Sequence, residues 1–327
     1  MAVRRTRVLT RGVLEEILDM KVAVEAVEEA FGAFGRGEAV MPAKVYVDMP
    51  DMGGDFRAMP ARVGDAAGVK WVNSHPGNPA QFGLPSVMGV YVLSDPATAF
   101  PRALMDATLL TAARTGAAGA VATKFLHGPP TSRGYVGCGV QARTLHAALR
   151  AAFGQLPAPV CADARPDAAA AFAEETGGLV GTLEEAAGQD VVNTSTPVKE
   201  PLLRAAWLAE GAHVNAMGAD GPGKQELDAD VLSQVAVFVD DWEQASHSGE
   251  IHRSVEAGSF TREDLAGNLG DVVAGTQERP APGTRTLFDS TGLAIQDLLL
   301  ADRLVAVAEA RNAGLNIDLV GLRAAAD

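Results

Sequence analysis

The stretch YVGCGVQA at residues 135–142 indicates the fold class, because it has the form G-x-G-x-x-A between a predicted strand and a predicted helix. In this pattern the first glycine, Gly137, permits a tight turn, and the second, Gly139, lets the backbone approach a pyrophosphate. The small third residue, Ala142, lets the helix pack closely on the strand, while the helix N-terminus supplies partial positive charge. The stretch therefore predicts a dinucleotide-binding site of the Rossmann type.

An acidic residue ends the next predicted strand. Asp163 closes PVCAD (159–163) and lies 24 residues after Gly139. A carboxylate there accepts hydrogen bonds from the adenosine ribose and repels a 2′-phosphate, which favours NAD over NADP. Two alternatives stay open: Arg165 nearby leaves NADP open, and Asp163 could instead cap the following helix.

Strand and helix patterns alternate around this motif. Buried parallel strands with intervening helices are typical of a doubly wound α/β domain. The segments are GYVG (134–137), a helix from Gln141, PVCAD, a helix from Pro166, DVVNTS (190–195), AHVNAM (212–217), VAVFVD (235–240) and TLFDS (286–290).

The first hundred residues follow a different pattern. Apolar residues at helical spacing from Leu14 to Phe31 precede short β-like runs, which predict an antiparallel or mixed sheet. These runs are AKVYVD (43–48), DFRAM (55–59), GVKWVN (68–73) and SVMGVYVLS (86–94). A long helix follows with Asp106 as its N-cap.

The predicted fold is therefore α/β, with a Rossmann-type doubly wound parallel sheet plus a smaller α+β domain. A last helix from about Leu293 to Ala313 is expected to return to the first domain. The predicted boundaries are 1–112 with 300–327 for the smaller domain and 113–299 for the NAD-binding domain.

Composition excludes several classes of protein. The chain has 327 residues, of which 47% are hydrophobic and 21% charged, a globular composition. The net charge of -14 argues against nucleic-acid binding. The sequence contains no run of about 18 uncharged apolar residues, so no membrane span is predicted. The N-terminus has no apolar run typical of a signal peptide, and the two cysteines, Cys138 and Cys161, make no disulfide framework, so a cytoplasmic location is expected.

Lysine is scarce, with six residues among 27 basic ones. An acidic, lysine-poor surface is expected of a halophilic protein that must stay hydrated in strong salt. A GC-rich genome gives the same composition. Both explanations stay open, and a stability curve against KCl separates them.

Several segments resemble the ornithine cyclodeaminase/μ-crystallin family, and within it the archaeal alanine dehydrogenases. They occur in the family's order along nearly the whole chain. The segments are MPAKVYVD (41–48), RAMPA (57–61), VKWVNSHPGNP (69–79), DATLLTAARTGAAG (106–119), GCGVQA (137–142), HVNAMGADGPGKQELD (213–228) and FDSTGLAIQD (288–297).

Lys70 is the first candidate catalytic residue. A lysine within the apolar run GVKWV is costly to bury without compensation, which indicates a functional or paired side chain. The alternative is a surface lysine whose aliphatic stem alone is buried. The resemblance places Lys70 in the catalytic pocket, where its ammonium would bind the oxygen or the carboxylate of a 2-oxo acid.

Two arginines are candidates for substrate binding. Arg57 and Arg114 lie in matched motifs, and an arginine fork binds a carboxylate bidentately. The resemblance implies that cyclodeaminases carry an acid near position 57 to receive the second amino group of ornithine. The cation Arg57 therefore favours the dehydrogenase branch, although Asp55 leaves the alternative open.

Asp220 is the second candidate catalytic residue. It follows the predicted strand AHVNAM in the turn GADGPG, and the ends of parallel strands hold the chemistry of α/β sheets. The resemblance makes Asp220 the acid/base residue, whereas a turn aspartate is otherwise commonly structural.

Further residues are expected to contact the cofactor because they lie in matched loops. Gly292 is expected to let backbone approach the nicotinamide. His75 is expected to be structural, and His247, His252 and Glu250 lack the spacing of a zinc motif, so no metal is predicted. The complete predicted cofactor set is Thr115, Gly137, Gly139, Val140, Gln141, Ala142, Asp163, Arg165, Thr196, Pro197, Met217, Gly218, Ser290 and Gly292.

The resemblance implies an NAD-dependent alanine dehydrogenase that interconverts L-alanine with pyruvate and ammonium. Ornithine cyclodeaminase, a reductase of cyclic ketimines, and a non-catalytic ligand-binding protein like μ-crystallin in the lens are the alternatives. The resemblance also implies a homodimer formed by the smaller domain, acting on a small molecule with no nucleic-acid or membrane partner.

Overall fold

The computed structural model describes residues 4–221 and 223–321. The chain forms two compact units. Unit 1 contains the chain up to Val22, Glu38–Thr111 and the chain from Ala294 onward. Unit 2 contains Ala23–Gly37 and Ala112–Leu293.

The strands, in chain order, are β1 (Thr6–Leu9), β2 (Ala39–Val40), β3 (Val45–Met49), β4 (Gly54–Val63), β5 (Ala66–Ser74), β6 (Val87–Ser94), β7 (Pro101–Asp106), β8 (Arg133–Val136), β9 (Pro159–Ala162), β10 (Leu179–Val180), β11 (Val191–Thr194), β12 (His213–Ala216), β13 (Ala236–Val239), β14 (Gly267–Asn268), β15 (Thr286–Asp289) and β16 (Leu315–Ile317).

The α-helices are α1 (Arg11–Ile17), α2 (Met20–Gly35), α3 (Asn78–Phe82), α4 (Ala107–Leu126), α5 (Val140–Phe153), α6 (Pro166–Thr176), α7 (Leu183–Ala187), α8 (Ala229–Leu232), α9 (Trp242–Ser248), α10 (His252–Glu256), α11 (Leu269–Ala274) and α12 (Ala294–Ala310). None of the helices in the described part of the chain has the length and hydropathy needed to span a membrane.

Unit 1 is built on a mixed sheet with the order β16-β1-β7-β6-β5-β4-β2, and β3 pairs with β4. Its pairs are antiparallel except β1 with β7. Because side chains alternate across a strand, Lys70 on β5 lies on the same face as its cross-strand neighbours Met59 and Tyr91. The helix α12 packs against β4, β5 and β6.

Unit 2 is built on a parallel sheet with the order β10-β9-β8-β11-β12-β15-β13-β14. From β8 the chain adds β9 and β10 on one side and then returns to add β11 and β12 on the other side. The position between β8 and β11, where the direction changes, is the switch point at which doubly wound sheets bind ligands. The carboxyl ends of β8, β9, β11, β12 and β15 therefore bring most of the predicted cofactor residues to one edge. The doubly wound α/β fold predicted from the sequence is confirmed.

The two compact units differ from the predicted division at residues 23–37, at residue 112 and at residues 294–299. Residues 23–37 belong to unit 2, because Phe31 packs edge-to-face on Phe288 with ring centroids 6.1 Å apart. A Cβ on Gly35 would lie 2.1 Å from the carbonyl oxygen of Gly270, so this helix contacts backbone of unit 2 directly. Residues 294–299 belong to unit 1, because α12 packs as one piece on the unit 1 sheet.

The helix pattern from Leu14 to Phe31 contains a break. The helix α1 ends at Ile17, and Asp19 accepts a hydrogen bond from the backbone N–H of Lys21 at the start of α2. Asp106 caps α4 as expected, since its carboxylate accepts from the N–H groups of Thr108 and Leu109.

Candidate nucleotide-binding and catalytic sites

The turn after β8 requires glycine at its first position. Gly137 has φ +88°, and a Cβ there would lie 2.8 Å from Thr196 Cγ2. Gly139 is the N-cap of α5, and a Cβ on it would meet nothing within 4 Å. Ala142 is fully buried, as expected of the residue that packs the helix on the strand. The second glycine thus faces open space at a helix N-terminus, where a pyrophosphate can approach.

A cavity of about 630 Å³ adjoins this turn within unit 2. Its volume lies in the range of cofactor and ligand pockets. Six predicted cofactor residues line it: Gly137, Gly139, Asp163, Arg165, Thr196 and Pro197. No sequence motif marked Thr182, Leu183, Val198 and Leu202, which also line it. The open glycine, the helix N-terminus and this cavity fit a dinucleotide.

Asp163 ties two backbone segments together. Its Oδ2 accepts from the N–H of Cys138 at 2.8 Å, and its Oδ1 accepts from the N–H of Arg165 at 2.8 Å. The N-cap of α6 is Arg165, so Asp163 is not that cap. Each carboxylate oxygen has a second lone pair, so a ribose hydroxyl can also be bound. Arg165 extends into solvent, with its side chain 70% exposed.

Arg143 supports the same turn, and the sequence reading missed it. Its Nη1 donates to the carbonyl oxygens of Cys138 at 2.9 Å and Gly139 at 3.2 Å. Its guanidinium also pairs with Glu175 at 2.6 and 2.7 Å. An arginine four residues after the second glycine reaches back over one helical turn, which was the available signal.

Glu226 fixes two of the predicted cofactor loops and was also missed. It accepts from the N–H of Thr196 at 2.6 Å and the Oγ1 of Thr196 at 2.7 Å. It further accepts from the N–H of Gly218 at 2.8 Å, next to the buried Met217. The loops after β11 and β12 are therefore held by one buried carboxylate.

Asp240 holds the loop after β15 in the same way, and Ser290 at the start of that loop is buried. Its Oδ2 accepts from the N–H groups of Thr291 at 2.7 Å and Gly292 at 2.6 Å. Gly292 has φ +81°, and a Cβ there would lie 2.5 Å from Arg114 Nη1. Glycine is thus required at 292 because a side chain there would collide with Arg114. That the backbone of Gly292 approaches a nicotinamide stays a prediction.

The remaining predicted cofactor residues lie on two helices of unit 2. Thr115 is buried on α4, next to Gly116, whose missing Cβ lets α4 approach the backbone of Thr144 on α5. Val140 is exposed as the first residue of α5, and the Oε1 of Gln141 accepts from the Oγ1 of Thr144.

Four buried acids cluster behind these loops: Glu226, Asp240, Glu250 and Asp289. Burial raises the pKa of Asp289 to about 8, with a further contribution from the charges of Asp240 and Glu226. Burial also raises the pKa of Glu226, and burial with the charge of Glu226 raises the pKa of Glu250 well above its usual range. Asp289 therefore keeps its proton at neutral pH.

Asp289 makes stability depend on pH. Because its pKa is raised on folding, the folded state keeps a proton that the unfolded state loses, and stability falls as pH rises from about 4 to about 8. Replacing Asp289 with Asn is expected to remove this dependence. The slope of the free energy of unfolding against pH should then change by up to about 1.4 kcal/mol per pH unit. Urea unfolding at pH 5, 6, 7 and 8 measures it. The exposed control Asp65→Asn keeps the wild-type slope, and an equal slope in Asp289→Asn would contradict the expectation.

Lys70 is buried in unit 1, so the alternative of a surface lysine is wrong. Its side chain is 1% exposed, and its Nζ lies 2.6 Å from the Oδ2 of Asp297, which is 0% exposed. Asp297 is the fourth residue of α12 and closes the matched segment FDSTGLAIQD. It was not singled out from the sequence.

Arg57 lies on the same face of the sheet as Lys70. It pairs across the strands with Val72 and Tyr46, which makes Lys70 its diagonal neighbour, at about 7–8 Å between Cα atoms. Its guanidinium binds Asp55 at 2.8 and 3.1 Å and lies over the ring of Tyr46 at 5.3 Å. The nearby acid that left the reaction open is therefore bound by this arginine.

Asp220 lies in unit 2, after β12. Its side chain is 43% exposed, and its Oδ1 accepts from the Nζ of Lys224 at 2.6 Å. Its N–H donates to the carbonyl oxygen of Gly218, so the loop held by Glu226 also orients Asp220. Lys224, four residues later in GADGPGK, is a partner that the sequence reading missed.

The histidines have local partners. The Nδ1 of His75 is 2.9 Å from the Nδ2 of Asn73, and its ring packs edge-to-face on Phe56. The Nδ1 of His252 is 2.6 Å from the carbonyl oxygen of Gly249. Across residues 4–221 and 223–321, no group of three or more His, Cys, Asp or Glu side chains is arranged to hold a metal ion.

Comparison with known proteins gives consistent matches. The model of the ornithine cyclodeaminase/mu-crystallin family matches residues 4–311. An alanine dehydrogenase of Archaeoglobus fulgidus is 46% identical over 321 residues, covering 95% of this chain and 98% of that protein. An archaeal alanine dehydrogenase dimer with bound NAD superposes with a TM-score of 0.91 at 44% identity, covering 96% of this chain and 99% of the other.

A second solved structure is almost as similar. The Δ1-pyrroline-2-carboxylate reductase of Thermococcus litoralis, in complex with NADH and L-proline, has a TM-score of 0.90 at 32% identity. The match covers 95% of this chain and all of that one.

Proposed function

Because this chain belongs to the ornithine cyclodeaminase/mu-crystallin family, we propose that it is an NAD-dependent alanine dehydrogenase. The reaction is L-alanine, water and NAD⁺ giving pyruvate, ammonium, NADH and a proton, and it is reversible. One observation carries the choice of branch: Arg57 binds Asp55, so the nearby carboxylate that could receive the second ammonium of a diamino acid is already paired.

The cofactor is NAD, and the cavity of unit 2 would hold it. The turn at Gly137 and Gly139 would bind the pyrophosphate, and Asp163 the adenosine ribose. When bound, the nicotinamide supplies hydride transfer to and from the α-carbon of the substrate.

Each candidate residue has a chemical part in the reductive direction. Arg57 and Arg114 bind the carboxylate of pyruvate. The Lys70 ammonium donates a hydrogen bond to the carbonyl oxygen and stabilises the negative charge that develops there as ammonia adds. Asp220 passes protons between the added nitrogen and the leaving hydroxyl, so that water departs and the imine forms.

A cyclodeaminase is the less favoured reading of these residues. Ornithine carries a second ammonium, and a guanidinium on the substrate side repels it. Asp55 is the acid closest in sequence to Arg57, and its carboxylate already accepts two hydrogen bonds from that guanidinium. Proline formed from ornithine with no net NADH production would establish the cyclodeaminase instead.

A reductase of cyclic ketimines is the second candidate, favoured by the likeness to the Thermococcus litoralis enzyme. A cyclic imine needs no addition of ammonia and no loss of water, so Asp220 would have fewer proton transfers to make. NADH oxidation by Δ1-pyrroline-2-carboxylate without ammonium distinguishes this activity.

The direct test is NADH absorbance with the purified protein. Pyruvate with ammonium, pyruvate alone and Δ1-pyrroline-2-carboxylate are compared, and ornithine with NAD is assayed separately for proline. We expect NADH oxidation that requires both pyruvate and ammonium. Turnover with the cyclic imine alone would assign the second candidate, and absence of turnover with every substrate would refute a dehydrogenase.

The cofactor preference depends on Asp163. Replacing it with Ser removes the charge that repels a 2′-phosphate, while the exposed Arg165 stays to bind one. We expect the ratio of kcat/KM for NADPH over NADH to rise on the order of tenfold, or about 1.4 kcal/mol. Steady-state kinetics with both cofactors measures it. Adding Arg165→Ala to the Asp163→Ser variant should cancel the gain; an unchanged ratio in Asp163→Ser alone would show that Asp163 does not discriminate.

We also propose a homodimer formed by unit 1. The face of its sheet opposite Lys70 is apolar and exposed: Phe56 stacks on Trp71 with centroids 5.0 Å apart, and Val45, Val47 and Val90 surround them. Exposed apolar patches of this kind mark interaction surfaces. Sedimentation velocity should give twice the 33.8 kDa of the chain; the variant Trp71→Arg should sediment as a monomer.

A further inference from the structure

We propose that Asp297 is a positioning residue for Lys70: its buried carboxylate holds the ammonium in place and keeps it charged during turnover. The proposal rests on the proposed function, in which Lys70 binds the oxygen of a 2-oxo acid. Asp297 closes the matched segment FDSTGLAIQD on a buried helix face, but the sequence analysis assigned it no role.

The geometry of the pair is the first support. Lys70 is central on β5, and α12 packs across β4, β5 and β6 above it. Its Nζ lies 2.6 Å from the Oδ2 of Asp297, and both side chains are excluded from water. Asp297 lies in the first turn of a 17-residue helix, where the helix dipole favours a negative charge.

The electrostatics of burial are the second support. An isolated ammonium in an apolar interior is so costly that the group gives up its proton instead. A carboxylate at hydrogen-bond distance compensates that cost and favours the charged form. A neutral amine would stabilise a developing oxyanion poorly, so the partner carboxylate preserves the form of Lys70 that the proposed chemistry uses.

Other charged and titratable groups lie on the elements packed around Lys70. From β4 comes Arg57, which binds Asp55. From β6 comes Tyr91, whose pKa is raised well above its usual value by burial and by the charges of Asp297 and Asp302, so it is a neutral phenol. Farther along α12, Asp302 pairs with Arg102 at 2.7 Å. Asp297 is a carboxylate at hydrogen-bond distance from the Lys70 ammonium.

The central test is Asp297→Asn, which keeps the shape of the side chain and removes its charge. We expect kcat for reductive amination to fall about 100-fold, within the range for lost proton-transfer and charge-stabilising groups. The alkaline limb of the pH–kcat profile should move to lower pH by at least about one unit, because Lys70 loses its proton more readily. The Kd for NADH, measured by fluorescence titration, should stay unchanged. Asp297→Glu should restore the position of the alkaline limb.

Asp302→Asn is the matched control. It lies on the same helix and also loses an ion pair to the sheet, since Asp302 binds Arg102 on β7. We expect it to lower the Tm but to keep kcat and the pH profile. If Asp297→Asn behaves in the same way, with a lower Tm and a wild-type profile, the pair is structural only and the proposal is overturned.

A double variant separates action through Lys70 from any other action. In the Lys70→Ala background, Asp297→Asn should cause no further loss of kcat. A further loss as large as that of the single variant would overturn the proposal. If Lys70→Ala itself keeps wild-type kcat, the proposed role of Lys70 fails. If Lys70→Ala is inactive while Asp297→Asn is normal, this inference alone fails.

Discussion

Replacing Lys70 with methionine is expected to reduce kcat for NADH oxidation with pyruvate and ammonium by about 10³-fold, while the Kd for NADH stays unchanged. The reason is that an ammonium aimed at the carbonyl oxygen acts on the charge that develops during the reaction, and removal of one such donor costs about 10²–10³ in kcat. The cavity proposed to hold the cofactor lies in unit 2 and is lined by no residue of β5, so we expect cofactor binding to be independent of Lys70. Stopped-flow absorbance with NADH titration separates the two effects.

Folding is the competing explanation for a loss of activity in this variant, because Lys70→Met leaves the buried Asp297 without its ammonium. Breaking a buried ion pair in this way costs about 3–5 kcal/mol. The double variant Lys70→Met/Asp297→Asn removes both charges and should recover stability but no activity. Lys124→Met, at a half-exposed lysine paired with Glu28, should keep wild-type kcat. Wild-type turnover by Lys70→Met would contradict the expectation.

Replacing Asp220 with asparagine is expected to lower kcat by about 10²–10⁴, the usual contribution of a positioned acid or base. Asparagine keeps an oxygen that can accept from Lys224, so the loop geometry is preserved while the proton carrier is lost. Because Asp220 is 43% exposed, the substitution leaves no buried polar group unsatisfied and should change the Tm little. Single-turnover kinetics across pH 6 to 9 checks whether the residual rate loses the pH dependence of the wild type.

The nearby acid Asp230 supplies the control for Asp220. It is exposed on α8 and contacts the N–H of Ala205 only at 3.5 Å. Asp230→Asn should therefore keep kcat. Equal rates for Asp220→Asn and wild type with pyruvate and ammonium would remove Asp220 from the proton-transfer steps and favour reduction of a preformed imine.

The nucleotide half of the fold was predictable because its signals are local. A tight turn needs Gly137 at positive φ, and the strands before and after it read as short apolar runs. Burial of Lys70 was also inferable, since GVKWV leaves no polar side for a lysine to occupy. In each case the residue and the sequence feature that indicates its environment lie within a few positions of each other.

The supporting carboxylates were not predictable because their partners are backbone groups of distant loops. Glu226 and Asp240 read as ordinary polar residues, yet each accepts several N–H bonds from segments up to 52 residues away. The partner of Lys70 is separated from it by 227 residues. Only the fold brings such pairs together, and a single sequence contains no pattern that connects them.

The membership of 23–37 in unit 2 was missed for a similar reason. The period of an amphipathic helix indicates that one face is buried, but it does not indicate which sheet that face packs against. The choice depends on close contacts such as that of Gly35 with the backbone of Gly270.

The order of the chain has a consequence for how the protein is made. Synthesis runs from the N-terminus, and unit 2 is complete in the chain once Leu293 has been added. Unit 1 then still lacks α12 and β16, so Lys70 is synthesised long before its counter-charge. The face of the sheet that holds Lys70 is therefore finished last. A nascent chain ending just before Ala294 already contains every residue that lines the cavity of unit 2 but not the carboxylate that pairs with Lys70.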